Sequence, residues 1–364
     1  MDRIWQCCTI STLFSLRSKP LQLLEQYTHS STKNLIFITG RFCSGTTFLW
    51  NFFNCSENYC AYYEPLHPGL LASIQYITPK KNHQSVDNYW QAYTSLTELE
   101  KFYCPTFGFE RLAMQADESH DSLKSYINYL SQNGGNKQVA IKFNRVDFRL
   151  PWVKENFPHA KIIHIKRNPR DSWKSSRAHL PLDAAKDMFQ FNAYELTQWV
   201  IALDEYFPFI IDTSTSSYHL HYFLAKLSEQ FAHQNAHMTL NFEEDILKNF
   251  NGFIQKIFDT TGLNKENVAG YANERVIPKS KQYSAEEITW LENVEKECDE
   301  ILGKLDIINM SSQQLLNKPF PLVYSKNRKL FMQKLLANHY KLENHLIRLQ
   351  GEFDEIREKN SRVC

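Results

Sequence analysis

The sequence predicts an α/β protein whose parallel sheet carries helices on both faces and is followed by a C-terminal helical tail. Three observations carry that reading. Short, continuous β-rich runs alternate with helical patterns, the order expected when parallel strands are joined by crossover helices. The first such run ends in a glycine-containing loop that opens a helix. The end of the chain spaces its apolar residues by alternating threes and fours, as a helix seam does.

Taken in order, residues 1–33 read as a lead-in segment with a helix at Leu21 to Tyr27. A first buried strand follows at Asn34 to Thr39 (NLIFIT), and runs of the same kind recur at Gln138 to Phe143, Ala160 to Lys166 and His237 to Phe242. Helical patterns lie between and after them at Phe48 to Phe53, Leu150 to Phe157, Asp171 to Ala178, Asp187 to Phe207, His219 to His233 and Glu244 to Thr261. The stretch from Pro65 to Gly135 mixes aromatic and polar residues and reads as an insert of loops and helices over the ligand end of the sheet. These elements suggest one domain over 34–320 and a tail over 321–364. In the tail, Met332, Leu335, His339, Leu342, Leu346, Leu349, Phe353 and Ile356 occupy a and d positions. Such a seam either packs on its own domain or pairs with another helix as a short coiled coil, which makes the tail a candidate for homo-oligomerisation.

Composition removes several function classes. With 364 residues, 43% hydrophobic and 22% charged, the chain can fill a large core and is not a disordered polymer. The difference 41 − 40 gives a net charge of +1, so no global basic field attracts nucleic acid, and any anion site has to be local. The eight cysteines (Cys7, Cys8, Cys43, Cys55, Cys60, Cys104, Cys298 and Cys364) show no paired CxxC spacing, which argues against zinc and leaves no metal expected. The longest uncharged N-terminal stretch, between Arg3 and Arg17, is too short and polar to span a bilayer, and no small-residue cleavage site follows it. A soluble cytoplasmic protein with reduced thiols is the expectation.

Two features carry chemistry. Gly40-Arg41-Phe42-Cys43-Ser44-Gly45-Thr46-Thr47 leaves a strand and enters a helix, so its amides and the helix dipole can converge on an anion. The spacing nearly fits a nucleotide P-loop, but Thr46 stands where the lysine belongs, which disfavours an ordinary kinase or NTPase. Further on, Arg167 ends a strand run and Ser175 follows eight residues later on the next helix, a pair able to grip a second phosphate. Pro169 and Asp171 also suit an ordinary first helical turn.

Together with Asn241 to Leu263, these passages resemble the sulfotransferases that use 3′-phosphoadenosine 5′-phosphosulfate (PAPS), the closest stretch being Phe157 to Ser176. The resemblance implies a P-loop-like α/β fold, PAPS as co-substrate, no metal, and transfer of a sulfuryl group to a hydroxyl or amine on a small molecule, carbohydrate or peptide. It places the 5′-phosphosulfate at Arg41, Cys43, Ser44, Gly45, Thr46 and Thr47, and the 3′-phosphate at Arg167 and Ser175. Glu64 lies 64 − 43 = 21 residues past the loop's cation position, similar to the base glutamate of the tyrosylprotein branch; His67 is a second candidate base by residue type. One departure matters. Cys43 replaces the family's loop Arg or Lys, and a neutral thiol cannot stabilise charge on the bridging oxygen. Either Arg41 or Lys142 supplies that charge, or the protein is a nucleotide-binding pseudoenzyme. His164 reads as a core histidine, the aromatics Tyr194, Trp199, Tyr206, Phe207 and Phe209 as core or acceptor pocket, His179 as a candidate contact, and Lys279 and Lys281 as solvated.

Overall fold

The computed structural model describes residues 35–76, 86, 88–177, 180–263 and 281–361. The lead-in segment with its expected helix, Cys7, Cys8, His179, Lys279 and Cys364 lie outside the described residues. Five parallel strands form one sheet: β1 (Leu35–Thr39), β2 (Tyr59–Tyr63), β3 (Gln138–Lys142), β4 (Ala160–Lys166) and β5 (Met238–Asn241), in the order β2-β3-β1-β4-β5. The register runs Ile36↔Ala140 and Ile36↔Lys161 on either side of β1.

Successive strand residues point to opposite faces, and both faces here are apolar. Ile36 and Ile38 enter one core with Ala140, Ile163, Ile165 and Leu240, whereas Phe37 enters the other with Ile141 and Ile162. The first core is closed by α1 (Thr46–Asn54), through Phe48, Leu49 and Phe52, and by α6 (Phe250–Thr261), through Phe253 and Ile257. The second is closed by α3 (Leu150–Asn156), α4 (Pro169–Ser176) and α5 (Ser217–Asn235), which bury Trp152, Trp173, Phe223 and Phe231. The neighbouring strands β1 and β4 therefore send their following helices to opposite faces, which opens a crevice at their carboxyl ends.

Several elements differ from the sequence reading, for identifiable reasons. Strand β2 (YCAYY) is not among the expected runs, because it is only five residues long; its position beside β3 buries Tyr59, Ala61 and Tyr62. The expected helix from Asp187 to Phe207 is interrupted: Tyr194 and Glu195 take left-handed φ values of 55° and 59°, and only Leu196–Ala202 is α-helical within it. The Glu244 to Thr261 pattern splits into a π-helical turn at Phe242–Lys248 and α6, with Asn249 capping the latter through a bond from Gly252 N–H. The insert contains α2 (Asp121–Gln132), and α7 (Ala285–Lys304) adds a helix that the sequence patterns did not indicate. The tail is one helix, α8 (Lys326–Ser361).

The insert is held to the sheet by Arg149, fully buried just past β3. Its guanidinium donates to the carbonyls of Arg111, Phe107 and Arg145, at 2.8, 2.8 and 3.2 Å, and to that of Glu110. Burial, then the charges of Arg145 and Arg111, bring its pKa down to about 9. Among the described residues no helix is long and apolar enough to cross a membrane, and no group of His, Cys, Asp and Glu side chains is placed to hold a metal.

Candidate functional site

The carboxyl ends of β1, β2, β3 and β4 surround an open cleft of about 700 Å3. Its floor is the loop between β1 and α1. Gly45 has φ 105°, and a Cβ there would come within 2.5 Å of the Phe242 ring, so only glycine fits. No side chain caps the start of α1, which leaves its first amides and the positive end of its dipole for a ligand. Cys43 also turns left-handed, at φ 63°.

The structure brings Cys43, Gly45, Thr46, Thr47, Glu64, His67, Lys142, Arg167 and Ser175 to this one cleft. Arg167, at the end of β4, donates from Nη1 to the Cys43 carbonyl at 2.9 Å and lies 4.7 Å over the Phe242 ring, which ties the residues after β4 to the loop after β1. Its Nε is buried without a hydrogen-bond partner, 3.8 Å from Glu243, and the Ser44 hydroxyl is likewise unpartnered. Arg41 is not brought to the cleft. Its guanidinium lies 4.3 Å over Trp199 and 3.6 Å from Asp147 Oδ2, lining a small hollow behind the loop with Ser44 and His164. His164 is a buried core residue beside Ser228, and burial lowers its pKa to about 4.

On the opposite wall stands a network of side chains. Glu64, just past β2 and at φ 42°, accepts from Lys142 Nζ at 2.5 Å and from Asn144 Nδ2 at 2.8 Å, all on one oxygen. The Thr46 hydroxyl donates to the other end of the same amide, Asn144 Oδ1, at 3.2 Å. Lys142 is 1% exposed and rests 4.0 Å over the Tyr63 ring. Burial pulls its pKa down and the facing carboxylate opposes this; burial would likewise raise Glu64, but the Lys142 charge and hydrogen bond outweigh it and hold the carboxyl below its usual range. Arg145, also nearly buried, donates to Glu195 Oε2 at 2.6 Å and to the Gly108 carbonyl at 3.2 Å. Tyr194, beside Glu195, stacks on Phe42 at 4.8 Å and faces the Cys43 thiol. Burial pushes that thiol up, against Tyr194, Arg167 and Lys142, so it is neutral.

His67 differs from Glu64 in its bonding. Its Nδ1 accepts from Gly69 N–H at 3.0 Å, which assigns the neutral ring's proton to Nε2, and burial lowers its pKa. Asn144, Arg145 and Glu195 are the residues that sequence reasoning missed. The first two follow β3 directly, and the rule that ligands gather at the carboxyl ends of parallel strands points to them; Glu195 has no comparable signal. Of the aromatic run, Tyr194 lines the cleft while Trp199, Phe207 and Phe209 are core.

The model of the sulfotransferase family matches residues 35–267. Solved structures similar to this chain include sulfotransferase STF9 from Mycobacterium avium, at 13% identity and a TM-score of 0.43 over 79% of this chain and 80% of that one. Sulfotransferase STF1 from Mycobacterium tuberculosis H37Rv aligns at 12% and 0.40, over 77% and 80%. A sulfotransferase from Alicyclobacillus acidocaldarius aligns at 15% and 0.34, over 74% and 96%. No curated protein matches the sequence. By the family match, the chain belongs to the sulfotransferase family.

Proposed function

We propose that this member of the sulfotransferase family moves a sulfuryl group from PAPS to a hydroxyl acceptor, with Glu64 as the base. The observation that carries the reading is the convergence, in one cleft, of an uncapped helix start, an arginine bonded to that helix's loop, and a lysine-paired carboxylate on the facing wall. The donor nucleotide, when bound, supplies the sulfuryl group. The residues fit an anion of that kind, because Arg167 Nε is buried without a hydrogen-bond partner beside the uncapped first turn of α1.

In this reading the amides from Ser44 to Thr47 hold the 5′-phosphosulfate, and Arg167 with Ser175 holds the 3′-phosphate. Lys142 provides the positive charge that Cys43 lacks, since it is the nearest buried cation on the carboxylate wall and faces both Cys43 and Glu64. Glu64 takes the acceptor's proton. Its lowered pKa keeps it ionised through the neutral range at some cost in basicity, and Asn144 and Lys142 fix one oxygen while the other is left for the acceptor. His67 is the poorer base: its acceptor nitrogen is already used by Gly69.

Calorimetric titration with PAP and, separately, with ATP tests the donor. Tight PAP binding with no response to ATP is the expected result, and equal binding of both would remove the PAPS assignment. Transfer of radiolabelled sulfate from PAPS to an extract separates an enzyme from a nucleotide-binding pseudoenzyme.

A further inference from the structure

The tail helix α8 leaves the domain with its apolar side uncovered. Its root is fixed: Arg328 donates to Asp204 at 2.7 and 2.8 Å, to Asp212 at 2.8 Å and to the Pro208 carbonyl at 2.9 Å, and Phe331 is buried against Phe189. Beyond that root the covering ends. Leu342, Leu346 and Ile347 are 62, 63 and 70% exposed, and Met332, Leu336 and Tyr340 are exposed as well. A groove of about 510 Å3 separates Leu335 and Leu342 from Phe189 and Thr197, so the domain does not fill this side. Lone exposed leucines are ordinary, but a row of them along one helix is not.

Charge along the helix identifies what covers the row. Residues 326–341 hold five basic and no acidic side chains, of which Arg328 and Lys334 also face acids of the domain, whereas residues 342–361 hold five acidic and three basic ones. Two copies aligned in parallel would set basic start against basic start. Reversed, each basic start meets the other copy's acidic end, and a two-fold axis near Asn344 puts Leu342 against the other copy's Leu346 and Lys334 against its Asp354. We propose that α8 pairs antiparallel with α8 of a second copy of this chain, burying the stripe from Met332 to Ile347 in a two-helix seam.

Sedimentation equilibrium of the full chain at low and high salt tests this. The expected result is a dimer that weakens as salt rises, because the end-to-end attraction is screened. Leu342→Glu with Leu346→Glu should give a monomer with an unchanged circular dichroism spectrum. Reversing the acidic end with Glu352→Lys, Asp354→Lys and Glu355→Lys should weaken pairing about tenfold. A monomer at every concentration overturns the proposal. So does a dimer that tightens with salt, which would mean parallel helices, or one indifferent to Leu342→Glu with Leu346→Glu, which would place the interface elsewhere.

Discussion

The two walls of the cleft are built from different material. The loop side is mostly backbone: amides at a helix start, a glycine pressed on Phe242, and one arginine bonded to a main-chain carbonyl. On the facing side, side chains from β2, β3 and the Tyr194–Glu195 turn hold one another, with few main-chain contacts among them. Backbone geometry tolerates sequence change as long as the glycines stay. A side-chain network does not, since removing one member strands a buried partner. The contrast teaches that affinity for the donor and the rate of transfer should respond to different substitutions.

The strongest way to break that division is Glu64→Gln. Transfer should fall by about 10² to 10⁴, the usual contribution of a positioned base, with PAP affinity nearly unchanged. Retained turnover would remove Glu64 as the base. On the loop side, Arg167→Ala should weaken PAP binding by about 2 to 3 kcal/mol, the range for hydrogen bonds to a charged group. Unchanged affinity by calorimetry would move the 3′-phosphate elsewhere.

A third measurement sharpens the side-chain wall through pH. Glu64 has a folded pKa below its ordinary value, so its stabilising contribution is complete above the unfolded carboxylate range and is lost as pH falls through the folded value. Denaturant unfolding should therefore show Glu64→Gln less stable than the native chain near neutrality, by about 3 kcal/mol or less, with the gap closing in acid. A gap independent of pH would mean that the carboxylate and Lys142 do not stabilise each other. The smallest effect is expected at Cys43. With Lys142 supplying the charge, Cys43→Arg should change turnover by less than about tenfold; a gain of about a hundredfold, the scale of one transition-state donor, would show that Lys142 does not fill the role.

The same contrast separates what is legible in the sequence from what is not. The strands at Leu35–Thr39 and Ala160–Lys166 are continuous β-rich runs, and each delivers its motif to the cleft at fixed spacing, so the positions of Gly45, Thr46 and Arg167 follow from the order of residues alone. Glu64 is reachable by its distance from the loop. Its bonding is not, because Lys142 and Asn144, though each can be singled out in the sequence, meet it only through the lateral pairing of β2 with β3, and β2 is too short to announce itself. Arg41 misleads for the opposite reason: its neighbourhood in sequence is the loop, but the turn at Cys43 leaves it on the far side, over Trp199. The left-handed Tyr194–Glu195 turn breaks a helix whose periodicity is otherwise sound.

Asn144 joins the two walls through an amide with unlike ends. Its oxygen faces the Thr46 hydroxyl of the loop and its nitrogen faces the Glu64 carboxylate. Turned end for end, it would set oxygen against carboxylate, so the ionised acid dictates which way the amide points. A protonated acid can donate and releases that constraint. The direction of a single amide is therefore tied to the charge on the Glu64 carboxylate at one end and to the Thr46 hydroxyl at the other.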